Sequence, residues 1–223
     1  MVEDNLTARR IINRHGMENA IRTAAAIGAS TNVALHLPAI ALEAEAPVSM
    51  ADFGELCAST PHIVKINPAA SANLSDFYAA GGVPAVMREL LPLLHHDAMT
   101  VTGRSLADNL AVFPPSSGDL IRPFDDPWSA SGGLAVLSGN LAPETALTKP
   151  ASIDSTMHHF EGRAKCFDSE EDANQAVLDG RIEEGDVVVI RYEGPKGGPG
   201  MREMATALKL LYGRGLSLKT AVV

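Results

Sequence analysis

Residues 187–204 read VVVIRYEGPKGGPGMREM, a β-branched run followed by four glycines, two prolines, a lysine and then a glutamate. A strand-to-helix connection needs only a few residues and one glycine, so this loop holds more special backbone positions than the connection demands. Gly197, Gly198 and Gly200 allow a ligand to approach the main chain, and Glu203 falls in the first turn of a helix expected over residues 201–211. A glutamate there either serves a ligand or complements the helix dipole; spacing by itself favours the dipole, and Lys196 reads as a solvated charge.

GASTN at 28–32 is the second candidate, because hydroxyls, an amide and backbone N–H groups at a helix start make either an anion cradle or an ordinary N-cap. His36 shares the helix face of Asn32 and reads as a packed histidine. The pairs His95–His96 and His158–His159 lack the i, i+4 spacing of a ligand pair, so neither receives a role. Cys57 and Cys166 stand outside any CxxC or Cys/His spacing; no zinc or iron–sulfur motif can be written, and both read as buried free thiols.

The elements that position these residues change along the chain. ENAIRTAAAIG is helical and stops at Gly28, TNVALHLPAIALEAEA restarts a helix, MADFGELCAS begins another after Ser49, and VPAVMRELLPLL has apolar residues at helical spacing. IVKIN is a short strand candidate closed by Pro68. Residues 112–128, VFPPSSGDLIRPFDDPW, crowd prolines and polar residues and form the expected linker. Beyond it GGLAVLSGNL, TALTKPAS, GRAKCFD and GDVVVIRYE read as strands, with one helix started by Ser169 and stopped at Gly180. The expected fold class is α/β, with a helix-rich first part and a strand-rich, barrel-like second part.

The 223 residues, 46% of them hydrophobic, suit a globular chain with a real core. A formal charge of −9, from 18 basic against 27 acidic residues, argues against nucleic acid as a partner; a small anion stays open where a local cation or metal receives it. The longest apolar run, at 33–42, is too short for a membrane span and contains His36 and Pro38. No signal-peptide core opens the chain, which makes the cytoplasm the expected location.

IGASTNVALHLPAIA, AGGVPAVMRELLPLLHHDAMTVTGRSLADNL, GGLAVLSGNLAPETALTKPA and CFDSEEDANQAVLDGRIEEGDVVVIRYEGPKGGPGMREM, in that order, resemble the dihydroxy-acid and sugar-acid dehydratases, a family that includes 6-phosphogluconate dehydratase. The resemblance covers almost the whole chain. It implies removal of water from a 2,3-dihydroxy carboxylic acid, giving an enol that becomes a 2-oxo acid, with branched-chain amino-acid biosynthesis as the expected setting and aldonic acids or 6-phosphogluconate as alternative substrates. It also implies an iron–sulfur cluster as Lewis acid on the departing hydroxyl, a magnesium ion on the carboxylate end, a serine base and a homodimer.

By this resemblance Glu203 is a magnesium ligand, which reverses the preference for the dipole. Thr31 and Asn32 become substrate-lining residues, although Ala29 stands where the family has a second glycine. The family's cluster cysteines lie in motifs upstream of anything present, Cys57 and Cys166 are not in them, and its serine motif follows a strand like the terminal LKTAVV. The resemblance therefore implies an internal, truncated fragment: 1–111 as the end of the family's N-terminal α/β domain, 112–128 as linker, and 129–223 as an incomplete swivelling β/β/α domain. Such a fragment is expected to hold one magnesium ligand, no cluster ligand and no catalytic base, and to be inactive by itself. The alternative of another class is a non-catalytic binding or assembly module on the same scaffold.

Overall fold

The computed structural model describes residues 3–67, 69–194 and 204–223. It divides into two compact units, Met1–Ile153 and Asp154–Val223.

In the first unit α1 (Ala8–Ile11), α2 (Arg14–Ile27), α3 (Val33–Glu43), α4 (Met50–Ala58), α5 (Leu74–Ala79), α6 (Gly82–Glu89) and α7 (Leu106–Ala111) are followed by the antiparallel pair β1 (Ala135–Leu137) and β2 (Ala146–Thr148). The starts are set by local chemistry. Asn13 caps α2 at the Gly16 amide, Ser49 and Asp52 close a reciprocal capping box on α4, and Asn73 and Asp76 do the same on α5. Gly28, at φ 63°, ends α2 in the left-handed conformation that glycine adopts without steric cost. Two apolar clusters hold the unit. Phe53, Ile21, Ala25, Cys57 and Leu134 join α2, α4 and β1, while Ile63, Val86, Leu90, Phe77 and Ile121 gather around α5 and α6.

The expected strand at IVKIN is reduced to isolated bridges, His62 to Ser129 and Val64 to Ile121. Segment 62–64 lies between loop residues 121–122 and 128–129, and neither neighbour stays extended long enough to continue a ladder.

The second unit runs β3 (Arg163–Phe167), α8 (Glu170–Leu178), β4 (Asp186–Ile190), α9 (Ala205–Gly213) and β5 (Ala221–Val222). β3 pairs parallel with β4 and β4 with β5, because each connection carries a helix across the sheet. Ala173, Ala176, Val177, Val188 and Leu211 fill the space between helices and sheet. The fold is mixed α/β, as expected, but the barrel is corrected: among the described residues no closed barrel forms. GGLAVLSGNL and TALTKPAS pair with each other in the first unit, and three parallel strands form an open sheet, far short of the roughly eight strands that enclose a packed barrel.

Candidate functional site

The turn between α2 and α3 is built by close backbone approach. A Cβ on Gly133 would lie 2.5 Å from the Gly28 Cα and 3.1 Å from the Ala151 Cβ, and a Cβ on Gly28 would lie 3.0 Å from His62 Nε2. The Gly133 amide donates to the Ala25 carbonyl at 2.8 Å, and the Gly132 amide to the Cys57 carbonyl at 2.9 Å. The GG dipeptide of SASGGLAV therefore locks the end of α2 from behind, and it is the sequence signal that could have drawn attention to this place.

Ser30 and Thr31 are exposed and Asn32 is half-buried. The capping alternative fails for Asn32: it sits in helical conformation at φ −56° and ψ −26°, and its side chain makes no cap hydrogen bond. Ser30 Oγ instead accepts from the Asn32 amide at 3.3 Å. His36 is exposed rather than packed, because α3 buries only Ala41 fully.

Behind the turn lies His62, 3% exposed and unheralded by any spacing in the sequence. Burial, then the nearby Lys65 and Lys149 charges, push its imidazole down to about 4, so it stays neutral near pH 7. Burial also lowers Lys149, which is half-buried. The His62 amide donates to the Ser129 carbonyl at 3.0 Å, and the Trp128 amide to the His62 carbonyl at 2.9 Å. Lys65 and Arg122 then stand over the Trp128 indole, at 4.6 and 3.9 Å from the ring centroid. In a chain of net charge −9, two lysine charges thus act on one buried neutral imidazole, while Arg122 lies over Trp128 and pairs with Asp126 at 3.6 Å. That local balance suits a small anion.

An apolar cavity of about 590 Å³ lies elsewhere in the unit, lined by Met17, Ala20, Val83, Met87 and Met99 among others. Its polar side chains Asn19, Thr23 and Thr100 are already bonded, Asn19 to both the amide and the carbonyl of His95, Thr23 to the Asn19 carbonyl and Thr100 to the Arg104 carbonyl. It offers nothing to a polyhydroxy acid.

The histidine pairs also separate. His95 stacks on His15 with centroids 4.0 Å apart, and its Nε2 meets Glu18 Oε2 at 2.6 Å. Burial pushes Glu18 up, yet hydrogen bonds from Arg14 and His95 outweigh it and hold the carboxyl below its ordinary value. Arg14 and the Ser49 cap likewise hold Asp52 well below the carboxylate range. This network ties α2 to α4 and to the loop at 95–97. The shared expectation for the thiols holds for Cys57, which is buried, and is corrected for Cys166, which is exposed on β3 because that edge strand turns it outward.

Glu203, Lys196, Gly197, Gly198 and Gly200 lie outside the described residues. Their flanks are described. The Glu170 amide, at the start of α8, donates to Glu193 Oε1 at 2.8 Å, and the Thr206 amide, in the first turn of α9, donates to Glu170 Oε1 at 3.2 Å. Among the described residues no group of three or more His, Cys, Asp or Glu side chains is arranged to hold a metal. A glutamate carboxylate at 203 has the hard oxygen chemistry that magnesium takes.

Residues 1–109 match the family described as dihydroxy-acid/6-phosphogluconate dehydratase N-terminal, and residues 119–223 match its C-terminal counterpart. The chain is similar to proteins named dihydroxy-acid dehydratase: 44% identical to that of Caldanaerobacter subterraneus subsp. tengcongensis and 42% to that of Aquifex aeolicus, covering all of this chain and 40% of each relative. Identity to the Ignicoccus hospitalis protein of the same name is 45%, over all of this chain and 41% of that protein. The chain spans about 40% of the length of the curated relatives it matches.

Proposed function

Because the chain belongs to the dihydroxy-acid/6-phosphogluconate dehydratase family, we propose that the protein containing it is a hydro-lyase that converts a 2,3-dihydroxy carboxylic acid to a 2-oxo acid. The observation that carries this reading is identity of 42–45% along the entire chain to proteins named dihydroxy-acid dehydratase. The Lys65 and Lys149 charges near His62 support it, since the substrate is an anion.

The chemistry is the loss of a proton from carbon 2 and of hydroxide from carbon 3. The enol that results tautomerises to the 2-oxo acid. In this reading an iron–sulfur cluster and magnesium would supply Lewis acidity to the departing hydroxyl and the carboxylate end. Glu203 would contribute one magnesium-binding oxygen. Thr31 and Asn32 line the substrate, presented on a turn that Gly28 and Gly133 keep narrow. His62, neutral and buried, fills the space behind the turn without adding a second charge. The same reading extends to a homodimer in the cytoplasm.

The relatives' names give a dihydroxy acid as substrate; we read it as a branched-chain one, and the family description keeps 6-phosphogluconate, and with it the sugar acids, as the second substrate class. The test is turnover by the full polypeptide, with iron, sulfide and magnesium supplied, of a branched-chain 2,3-dihydroxy acid, an aldonic acid and 6-phosphogluconate. The 2-oxo product is followed with a carbonyl reagent. We expect the highest kcat/KM for the branched-chain acid and no turnover by residues 1–223 alone. Preference for a sugar acid moves the assignment to the second class. No turnover of any substrate by the fully loaded polypeptide replaces the enzyme reading with a binding or assembly module.

A further inference from the structure

The parallel sheet of the second unit carries its helices on one face only. Val188 and Val222, with Phe167 and Ile190, meet Ala173, Ala176 and Val177 of α8 and Leu210 and Leu211 of α9 in a single apolar cluster, so both helices lie on the same side. Successive strand residues point to opposite faces. The register of Ala164 with Val187, Cys166 with Val189 and Val187 with Ala221 therefore sets these five on the other side. Val223, whose amide donates to the Val188 carbonyl at 2.9 Å, continues the alternation beyond Ala221.

None of these residues is charged or carries a hydroxyl or an amide, and none belongs to an apolar cluster. Ala164 and Cys166 are exposed, Val187, Val189 and Ala221 are half-buried, and Val223 is 58% exposed. A strand with one face in water alternates apolar with polar residues. In DVVVI of β4 the valines occupy both faces instead, the pattern of a parallel sheet covered on both sides.

A second copy of the chain does not suit this face. Three strands about 4.8 Å apart, rising about 3.3 Å per residue, present roughly 200 Å², against about 800 Å² for each partner of a standard interface. A segment joined to the sheet by the chain itself needs no such area, because it does not give up free translation and rotation on docking. The curated relatives have the length for one, since this chain covers 40% of each. The pairing of β5, the last described strand, runs on to Val223, so chain continuing past Val223 starts from the rim of the open face. The small side chains of Ala164, Cys166 and Ala221 permit the approach to about 10 Å at which sheets pack face to face.

We propose that the open face is an interior surface of a longer polypeptide, covered by an apolar segment that follows Val223. This rests on the reading of residues 1–223 as part of a protein as long as its relatives.

The experiment compares the full polypeptide with residues 1–223 and follows alkylation of Cys166 by iodoacetamide under native conditions, assigned by mass spectrometry. We expect Cys166 to react quickly in residues 1–223 and at least about tenfold more slowly in the full polypeptide, where the face must open before the thiol reacts. Val189→Thr keeps the β-branched shape and adds a hydroxyl. It should lower the urea midpoint of the full polypeptide, in which that hydroxyl is buried without a partner, and leave the midpoint of residues 1–223 unchanged. Equal Cys166 rates in the two chains, or an equal Val189→Thr shift in both, overturn the proposal. Protection in residues 1–223 that grows with their concentration assigns the face to a second copy and overturns it as well. The underlying reading fails separately: a coding sequence that ends at Val223 leaves no segment to cover the face. Protection without turnover of any dihydroxy acid keeps the covered face and removes only the hydro-lyase reading.

Discussion

Lowering the pH from 8 to 5 should destabilise the first unit through His62. The imidazole titrates at about 4 when folded and near 6.5 when exposed, so between these values the unfolded chain binds the extra proton. Stability from this group is fully present above about pH 6.5 and is lost as the pH falls towards 4. Linkage across that window gives about 2 kcal/mol lost by pH 5. Asp52 and Glu18 are held below their ordinary values, so their contributions fade at lower pH and leave the interval from 5 to 8 to His62. The assay is urea unfolding followed by fluorescence of the single tryptophan, Trp128, whose amide is bonded to the His62 carbonyl. His62→Gln removes the titration, and its stability should change with pH by about 2 kcal/mol less than the parent's over the same interval. Equal slopes in parent and variant would refute the claim that burial keeps this ring neutral.

Gly133→Ala should destabilise the first unit by about 3 kcal/mol or more, since the added methyl meets the Gly28 backbone at 2.5 Å and has no flexible neighbour to displace; denaturation midpoints of parent and variant check it. Native-state labelling with a thiol reagent should modify Cys166 first and leave Cys57 slow until unfolding, because burial pushes the Cys57 thiol up to about 11 while Cys166 faces solvent. Two equally fast thiols in the folded chain would contradict the burial of Cys57.

Helices whose apolar spacing and caps agree were legible in the sequence. Ser49 with Asp52, Ser169 with Asp172, and the stops at Gly28 and Gly180 stand where the residue types place them, because a cap is a contact within one turn of chain. Features that depend on partners distant in sequence were not. IVKIN has a strand's composition, yet it needs extended neighbours on both sides, and the chain brings only a bridge residue to each. AVL and ALT read correctly as strands, but nothing in a period of two says whether strands close into a barrel or stop at a hairpin pair.

The same distinction governs the site. Thr31 and Asn32 could be singled out because a helix start concentrates unpaired amides, and Glu203 because four glycines precede it. His62 could not, since its importance is a matter of its facing Gly28 from 34 residues away, and Gly133 is marked only by the GG dipeptide, whose contact with Gly28 lies 105 residues back. Glu170 and Glu193 show the same distinction in the second unit. Each looks in the sequence like a charge on a solvated helix start or strand end, and each is in fact buried against an amide that belongs to another element.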